Sequence, residues 1–455
     1  MRPHLPRRVP ALLLCGSLAL AATACTVGGS ADAGAAGSGQ KKTLVVAEWT
    51  NPSAIEATKK INAIFEKEHP GVTVKLENAP TAAGAWGTLT NSLLSAKSVD
   101  ILAQFAPTPA KFPPAETGLK SSGAAALITA GQITDLSGQE FMKSYDPVLQ
   151  KYGVGYNNGI HGVVAAEYIG HGAVWYKKDL LDKYGVKVPT TYSEFVAALK
   201  KFKDAGKTPI FVAGKDGLQG IVYGGAVQQL LMKGHGANDS TAVSDQRAKD
   251  FWGGTKTWND PVYKESATKY TEVMQYIEPA ASGVAQLTAP GVWAAKSDDF
   301  PFFLDGSWDG NTIKEANPDL KFGFFVMPAT DDTANNRVPV KADLTWMVPT
   351  WAPNKDLAMD WLRIFSRPEN YKLWLDATGS MSTQPGVTSS TLPWMDWLNE
   401  HSDQRFAALT DPWLPAGAPP EAAGPDLTKM TPFGKQSVDA ALTGAAAAYR
   451  KSVSK

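Results

Sequence analysis

VWYKKDLLDKYGVKVPTTYSEFVAALKKFKDAGKTPI (174–210) is the stretch whose reading decides the fold. Thr191, followed three residues later by Glu194, makes a capping box, in which hydroxyl and carboxylate satisfy the first free N–H groups of a helix. Phe195, Leu199 and Phe202 then recur at helical spacing until Gly206, which predicts a helix over 192–205. PIFVA (209–213) follows as a strand. AGKT (205–208) is a false phosphate loop: Lys201 stands where GxxxxGK[ST] needs its first glycine, and the segment closes a helix where a phosphate site must open one.

Outward from there the same alternation continues. Upstream, KTLVVAEW (42–49) reads as a strand, and Ser53 with Glu56 opens a helix whose inner face is Ile55, Ile61, Ile64 and Phe65. Strand VTVKLE (72–77), a helix over 83–97 and strand DILAQF (100–105) follow, the order expected of an α/β layer with parallel strands. YGVGYNNGIHGVVA (152–165) predicts a hairpin turning at Asn158-Gly159. Downstream come strands FFLDG (302–306), KFGFFVMP (321–328) and LTWMVP (344–349), and a helix over 355–366. A second capping box at Ser366 and Glu369 and an Ala-rich helix over 435–453 complete the series.

The amino end reads differently. Arg2, Arg7 and Arg8 precede the apolar stretch 11–24, too short to span a bilayer, and Ala22, Thr23 and Ala24 lead into Cys25. This resembles a lipobox, which would make residues 1–24 a signal peptide and Cys25 the lipid site, the alternative being ordinary secretion with cleavage near Ala24; residues 25–41, poor in apolar bulk, would form a flexible tether. The other cysteine, Cys15, lies inside the signal, so the mature chain has no thiol for a disulfide, a nucleophile or a Cys-ligated metal. Lys+Arg and Asp+Glu are both 44, which gives no net field to draw in nucleic acid. GxSxG and HExxH are missing and the six histidines show no ligand spacing, so neither a catalytic residue nor a metal or cofactor is expected. The 14 tryptophans suit sugar faces as well as cores.

Residues 174–210 closely resemble the signature of extracellular solute-binding proteins of family 1. The matching positions are Tyr176, Lys178, Asp179, Gly185, Pro189, Thr191, Tyr192, Gly206, Pro209 and Ile210, with Lys177 in place of the usual Asn. FFLDGSW (302–308), FGFFVMP (322–328) and APNKDLAMDWLRIFSRPENYKLWLDATGSMSTQPGV (352–387) resemble later blocks of the family, in the same order. The resemblance implies an α/β, two-lobed periplasmic-binding-protein-like fold of type II, with a ligand cleft between lobes joined by hinge crossings. Lobe 1 would be 42–168 with 332–385, and lobe 2 would be 169–331 with 386–455, with crossings near 166–172, 329–338 and 386.

It further implies a receptor without enzymatic activity, a monomer anchored outside the cytoplasm by the lipid on Cys25. Such a receptor captures a sugar, in the first instance an oligosaccharide, for the membrane permease of an ABC importer. Alternatives are a receptor for another polar solute, an exported glycan hydrolase or a structural lipoprotein without ligand. Carried over by position, the ligand-binding residues would be Trp49, Asn51, Gln104, Glu167, Gln219, Trp308, Asp309 and Trp346. Indoles would cover the C–H faces of a pyranose while the amides and carboxylates pair with hydroxyls.

Overall fold

The computed structural model describes residues 42–454, apart from 82–83, 108, 390–393, 395–396 and 398–399. The stretches expected to be a signal peptide and a tether, with Cys25 between them, lie outside the described residues. In chain order the strands are β1 (Lys42–Trp49), β2 (Val72–Ala79), β3 (Ile101–Phe105), β4 (Gly155–Tyr156), β5 (Gly159–Ile160), β6 (Val163–Val164) and β7 (Glu167–Tyr168). Then come β8 (Ala173–Lys177), β9 (Ile210–Val212), β10 (Phe302–Leu304), β11 (Phe322–Val326), β12 (Val338–Ala342), β13 (Leu344–Met347) and β14 (Arg405–Ala407).

They form a five-stranded sheet in the order β2-β1-β3-β13-β6 and a four-stranded sheet in the order β11-β8-β10-β9. A three-stranded sheet, β14-β12-β7, joins them. The chain leaves the first large sheet at β6, passes through β7 and enters the second at β8; it returns from β11 through β12 to β13. Each large sheet has its own core. Phe65, Trp346, Trp361 and Trp374 fill the first, and Trp175, Trp258, Trp293 and Phe302 fill the second. This is the two-lobed α/β arrangement expected. In the first lobe β1 runs parallel to β2 and β3, so the carboxyl ends of these strands gather at one edge, where open α/β sheets hold ligands.

Local chemistry explains where boundaries fall. Thr191 and Glu194 form both bonds of the predicted capping box on helix Tyr192–Asp204. The first helix, Pro52–Glu68, starts ahead of Ser53 because Pro52, which has no N–H, takes its first position. Asn51 is therefore the cap, and its Oδ1 accepts from Ala54 N–H at 3.2 Å. The second expected box does not form. Ser366 instead caps the carboxyl end of the preceding helix, Lys355–Phe365, and donates to the Leu362 carbonyl at 2.7 Å, and the next helix, Pro368–Thr378, starts from Pro368. The hairpin turns on Asn157 and Asn158, at φ 47° and 64°, one residue earlier than read; both central residues of such a turn need positive φ, which asparagine tolerates.

Candidate binding cleft

Two aromatic rings mark the carboxyl edge of the first lobe. Trp49 ends β1 and Phe105 ends β3, and their rings stack at 4.5 Å and 20°. Trp86 meets Trp49 edge-on at 6.1 Å and fixes its orientation. Phe105 is 44% exposed, which leaves a large apolar side chain uncovered where the strands end. The Lys341 ammonium lies 5.2 Å from its ring centroid and pairs with Asp343 at 3.0 Å. The Asp343 charge is the main reason the Lys341 pKa is raised, so the ammonium is held charged beside the ring.

The joining segments supply polar groups. Glu167, in β7, exchanges backbone hydrogen bonds with Met381 at 3.2 and 3.1 Å. Burial pushes its carboxyl up to about 7, against the pull of Arg405. Three residues beyond β7, burial pushes His171 down to about 4 although the Asp411 charge opposes the shift, so its imidazole is neutral at pH 7 and can both donate and accept. Helix Gly220–Leu231 closes on this crossing only because positions 224 and 225 are glycine. A Cβ at Gly224 would stand 2.5 Å from His171 Nδ1, and one at Gly225 would stand 2.6 Å from the Gly172 backbone.

The second lobe presents Tyr223, Gln219 and Trp308. The Tyr223 hydroxyl and the Gln219 side-chain oxygen are buried without a hydrogen-bond partner among the described residues. Trp308 is half-buried and packs against the core of the first lobe, edge-on to Tyr168 at 6.0 Å and 72°. Beneath it lie Asp305 and Asp309, 0% and 6% exposed. Burial pushes Asp305 up to about 7; burial and then the Asp305 charge hold Asp309 well above the usual carboxylate range.

The residues named from sequence thus fall into three groups. Trp49, Gln104, Glu167 and Trp308 are half-buried along the strand ends, the crossing and the facing lobe. Gln219 and Asp309 are buried, Gln219 keeping an unpaired oxygen. Asn51 and Trp346 do other work. Asn51 spends its side-chain oxygen on the helix cap. Trp346 is 0% exposed, with Trp361 edge-on at 5.2 Å and Phe365 at 5.9 Å, so the core occupies the faces that a sugar would need. Sequence reasoning missed Phe105, His171, Tyr223, Lys341 and Asp411. For Phe105 a signal was present, since it directly follows Gln104 on the same strand. For the others the grouping is made by chain crossings that no local pattern records.

No group of three or more His, Cys, Asp or Glu side chains among the described residues is placed to hold a metal ion. The arrangement offers an exposed ring, a neutral imidazole, an unpaired phenol and amide, and paired charges, which is equipment for gripping an uncharged polar molecule.

The model of the family of bacterial extracellular solute-binding proteins matches residues 48–372. The chain is 23% identical to the melibiose/raffinose/stachyose-binding protein MelE of Bacillus subtilis over 221 residues, 47% of this chain and 48% of that protein, so the match spans about half of that relative's length. It is 23% identical to the multiple sugar-binding protein of Streptococcus mutans over 398 residues, 82% and 86% of the two chains. Among solved structures, RafE in complex with raffinose superposes with a TM-score of 0.70 at 18% identity, covering 90% of this chain and all of that one. A chitin oligosaccharide binding protein gives 0.70 at 16%, covering 91% and 99%.

Proposed function

From the premise that this chain belongs to the family of bacterial extracellular solute-binding proteins, we propose that it captures a sugar, in the first instance an oligosaccharide, for import by an ABC transporter. The sugar lies between the lobes against the Trp49–Phe105 pair, with Gln104, Glu167, His171, Tyr223, Gln219 and Trp308 around its hydroxyls. The observation that carries this reading is the exposed Phe105 ring at the carboxyl edge of the sheet, braced by Trp49 and flanked by Lys341. A monomer without disulfides is enough for such a task, with lobe 1 formed by 42–168 and 332–385 and lobe 2 by 169–331 and 386–455. The lobes close by rotation about the crossings and present a closed surface to the membrane subunits.

Thermal unfolding in the presence of raffinose, stachyose, galactose and chitin oligosaccharides tests the reading. A ligand at 100 times its Kd adds about 2.7 kcal/mol of stability. At least one member of the panel is expected to raise the melting temperature and to be recovered intact by mass spectrometry after prolonged incubation. Shorter products accumulating in proportion to protein would instead favour a hydrolase. A response only to non-sugar polar solutes would favour a different receptor.

The proposal includes a lipid on Cys25, supported by the apolar stretch and small residues that precede it and by the tether sequence that follows. Cys25→Ser is expected to shed the protein into the medium or leave it unprocessed. Unchanged membrane association and gel mobility would rule the anchor out.

A further inference from the structure

A cavity of about 730 Å³, lined by none of the residues assigned to the cleft, opens in the second lobe between helix Gly220–Leu231, helix Ser240–Gly253 and the start of helix Pro261–Met274. Its size falls within the range of small-molecule sites. Leu230, Leu231, Val243 and Val262 give it aliphatic walls.

Arg247, 7% exposed, also lines it. The Arg247 Nε donates to the Tyr263 hydroxyl at 2.9 Å and Nη1 to the Thr410 carbonyl at 3.0 Å. The guanidinium carbon lies 5.4 to 6.0 Å from the ring centroids of Tyr263, Trp258 and Phe251. Its charge also acts on His171 and Tyr223, on which Asp411 acts too, but among the described residues Arg247 forms no ion pair and its Nη2 donates no hydrogen bond. A buried guanidinium is normally matched by a carboxylate, because its desolvation is large. Three aspartates also line the wall and are engaged elsewhere: Asp239 accepts from the Gly236 N–H at 2.6 Å. Asp250 accepts from Gln246 and Thr255, and Asp260 pairs with Lys256 at 3.4 Å. The cavity therefore combines a rigidly oriented guanidinium that forms no ion pair with a wall that is aliphatic in part.

We propose that this cavity is a second ligand site, separate from the sugar cleft, which takes a small organic acid with an aliphatic body. The carboxylate pairs with Arg247 and the hydrocarbon lies along Leu230, Leu231, Val243 and Val262. Its anchor touches the joining segment, since Thr410 also donates its backbone N–H to Ser244 Oγ at 3.2 Å in the same helix as Arg247.

The test titrates the full chain with sodium hexanoate and, separately, with neutral hexanamide, followed by ligand-observed NMR. Hexanoate is expected to bind at least about 10-fold more tightly than hexanamide, because only the acid carries a negative charge to pair with the Arg247 guanidinium. Arg247→Gln should bring hexanoate down to the level of hexanamide. Val243→Trp, which leaves Arg247 in place and fills the cavity from its apolar wall, should abolish the binding of both while a cooperative melting transition is retained. The proposal is overturned by the absence of saturable hexanoate binding, by equal affinity for acid and amide, or by hexanoate binding that ignores Val243→Trp in a folded variant.

Discussion

Glu48→Gln is expected to be more stable than the natural protein at pH 9 and nearly equal to it at pH 4. Glu48, the residue before Trp49 on β1, is 0% exposed. Its Oε2 accepts from the Thr58 hydroxyl at 2.7 Å, while Oε1 has no partner among the described residues. Burial outweighs that hydrogen bond and pushes the carboxyl from 4.5 up to about 8. The folded chain thus holds a proton that the unfolded chain releases above its ordinary value. Stability is lost as pH rises from about 4.5 to about 8 and changes little beyond. At 1.36 kcal/mol per pH unit over that window, the loss is on the order of 5 kcal/mol. Glutamine keeps the acceptor for Thr58 and removes the proton. Glu167 and Asp305, also raised, add slope of the same sign, so the natural protein and the variant should both weaken towards neutral pH, the natural protein much more. Urea unfolding at pH 4, 6 and 9 checks this. Parallel stability curves for the two proteins would mean that Glu48 is solvated and ionised.

Trp346→Ala is expected to lower the folding stability by roughly 3–5 kcal/mol and to leave sugar affinity unchanged in the fraction that remains folded. The ring is 0% exposed on β13 and packs edge-on against Trp361 at 5.2 Å and Phe365 at 5.9 Å, which in turn stack at 5.5 Å. Removing it opens a cavity among large rigid rings that relax little. Its indole N–H has no partner among the described residues, so Trp346→Phe should recover most of the loss. Chemical denaturation of both variants, paired with a binding isotherm, separates core from cleft. A weaker sugar with an unchanged denaturation midpoint would return Trp346 to the binding site.

These two residues show what sequence can and cannot carry. Thr191 and Glu194 announce a helix start because every partner in a capping box lies within four residues. The strands over 42–49, 72–77 and 100–105 were legible because alternation and spacing are local properties. Trp346 and Trp308 are not told apart in that way. Both follow or sit in apolar strand-like segments, and what differs is which distant chain covers them: residues 361 and 365 bury one, while the other reaches Tyr168 across the lobes. The reading at 104–105 chose the polar residue, yet the strand ends on Phe105, and the exposed ring there stacks on Trp49 from another strand. His171 and Tyr223 become neighbours of Asp411 only through the joining segments and the close approach at Gly224 and Gly225.

The central claim, a sugar held on the Trp49–Phe105 pair, is tested most directly by calorimetric titration of the natural protein and Phe105→Ala with whichever panel oligosaccharide raises the melting temperature. Phe105 is already 44% exposed without ligand, so truncating it should shift the melting temperature little. If the sugar buries that ring, the lost contact of roughly 1.5–3 kcal/mol weakens affinity by about 10- to 100-fold. An isotherm for Phe105→Ala that overlays that of the natural protein would contradict the account.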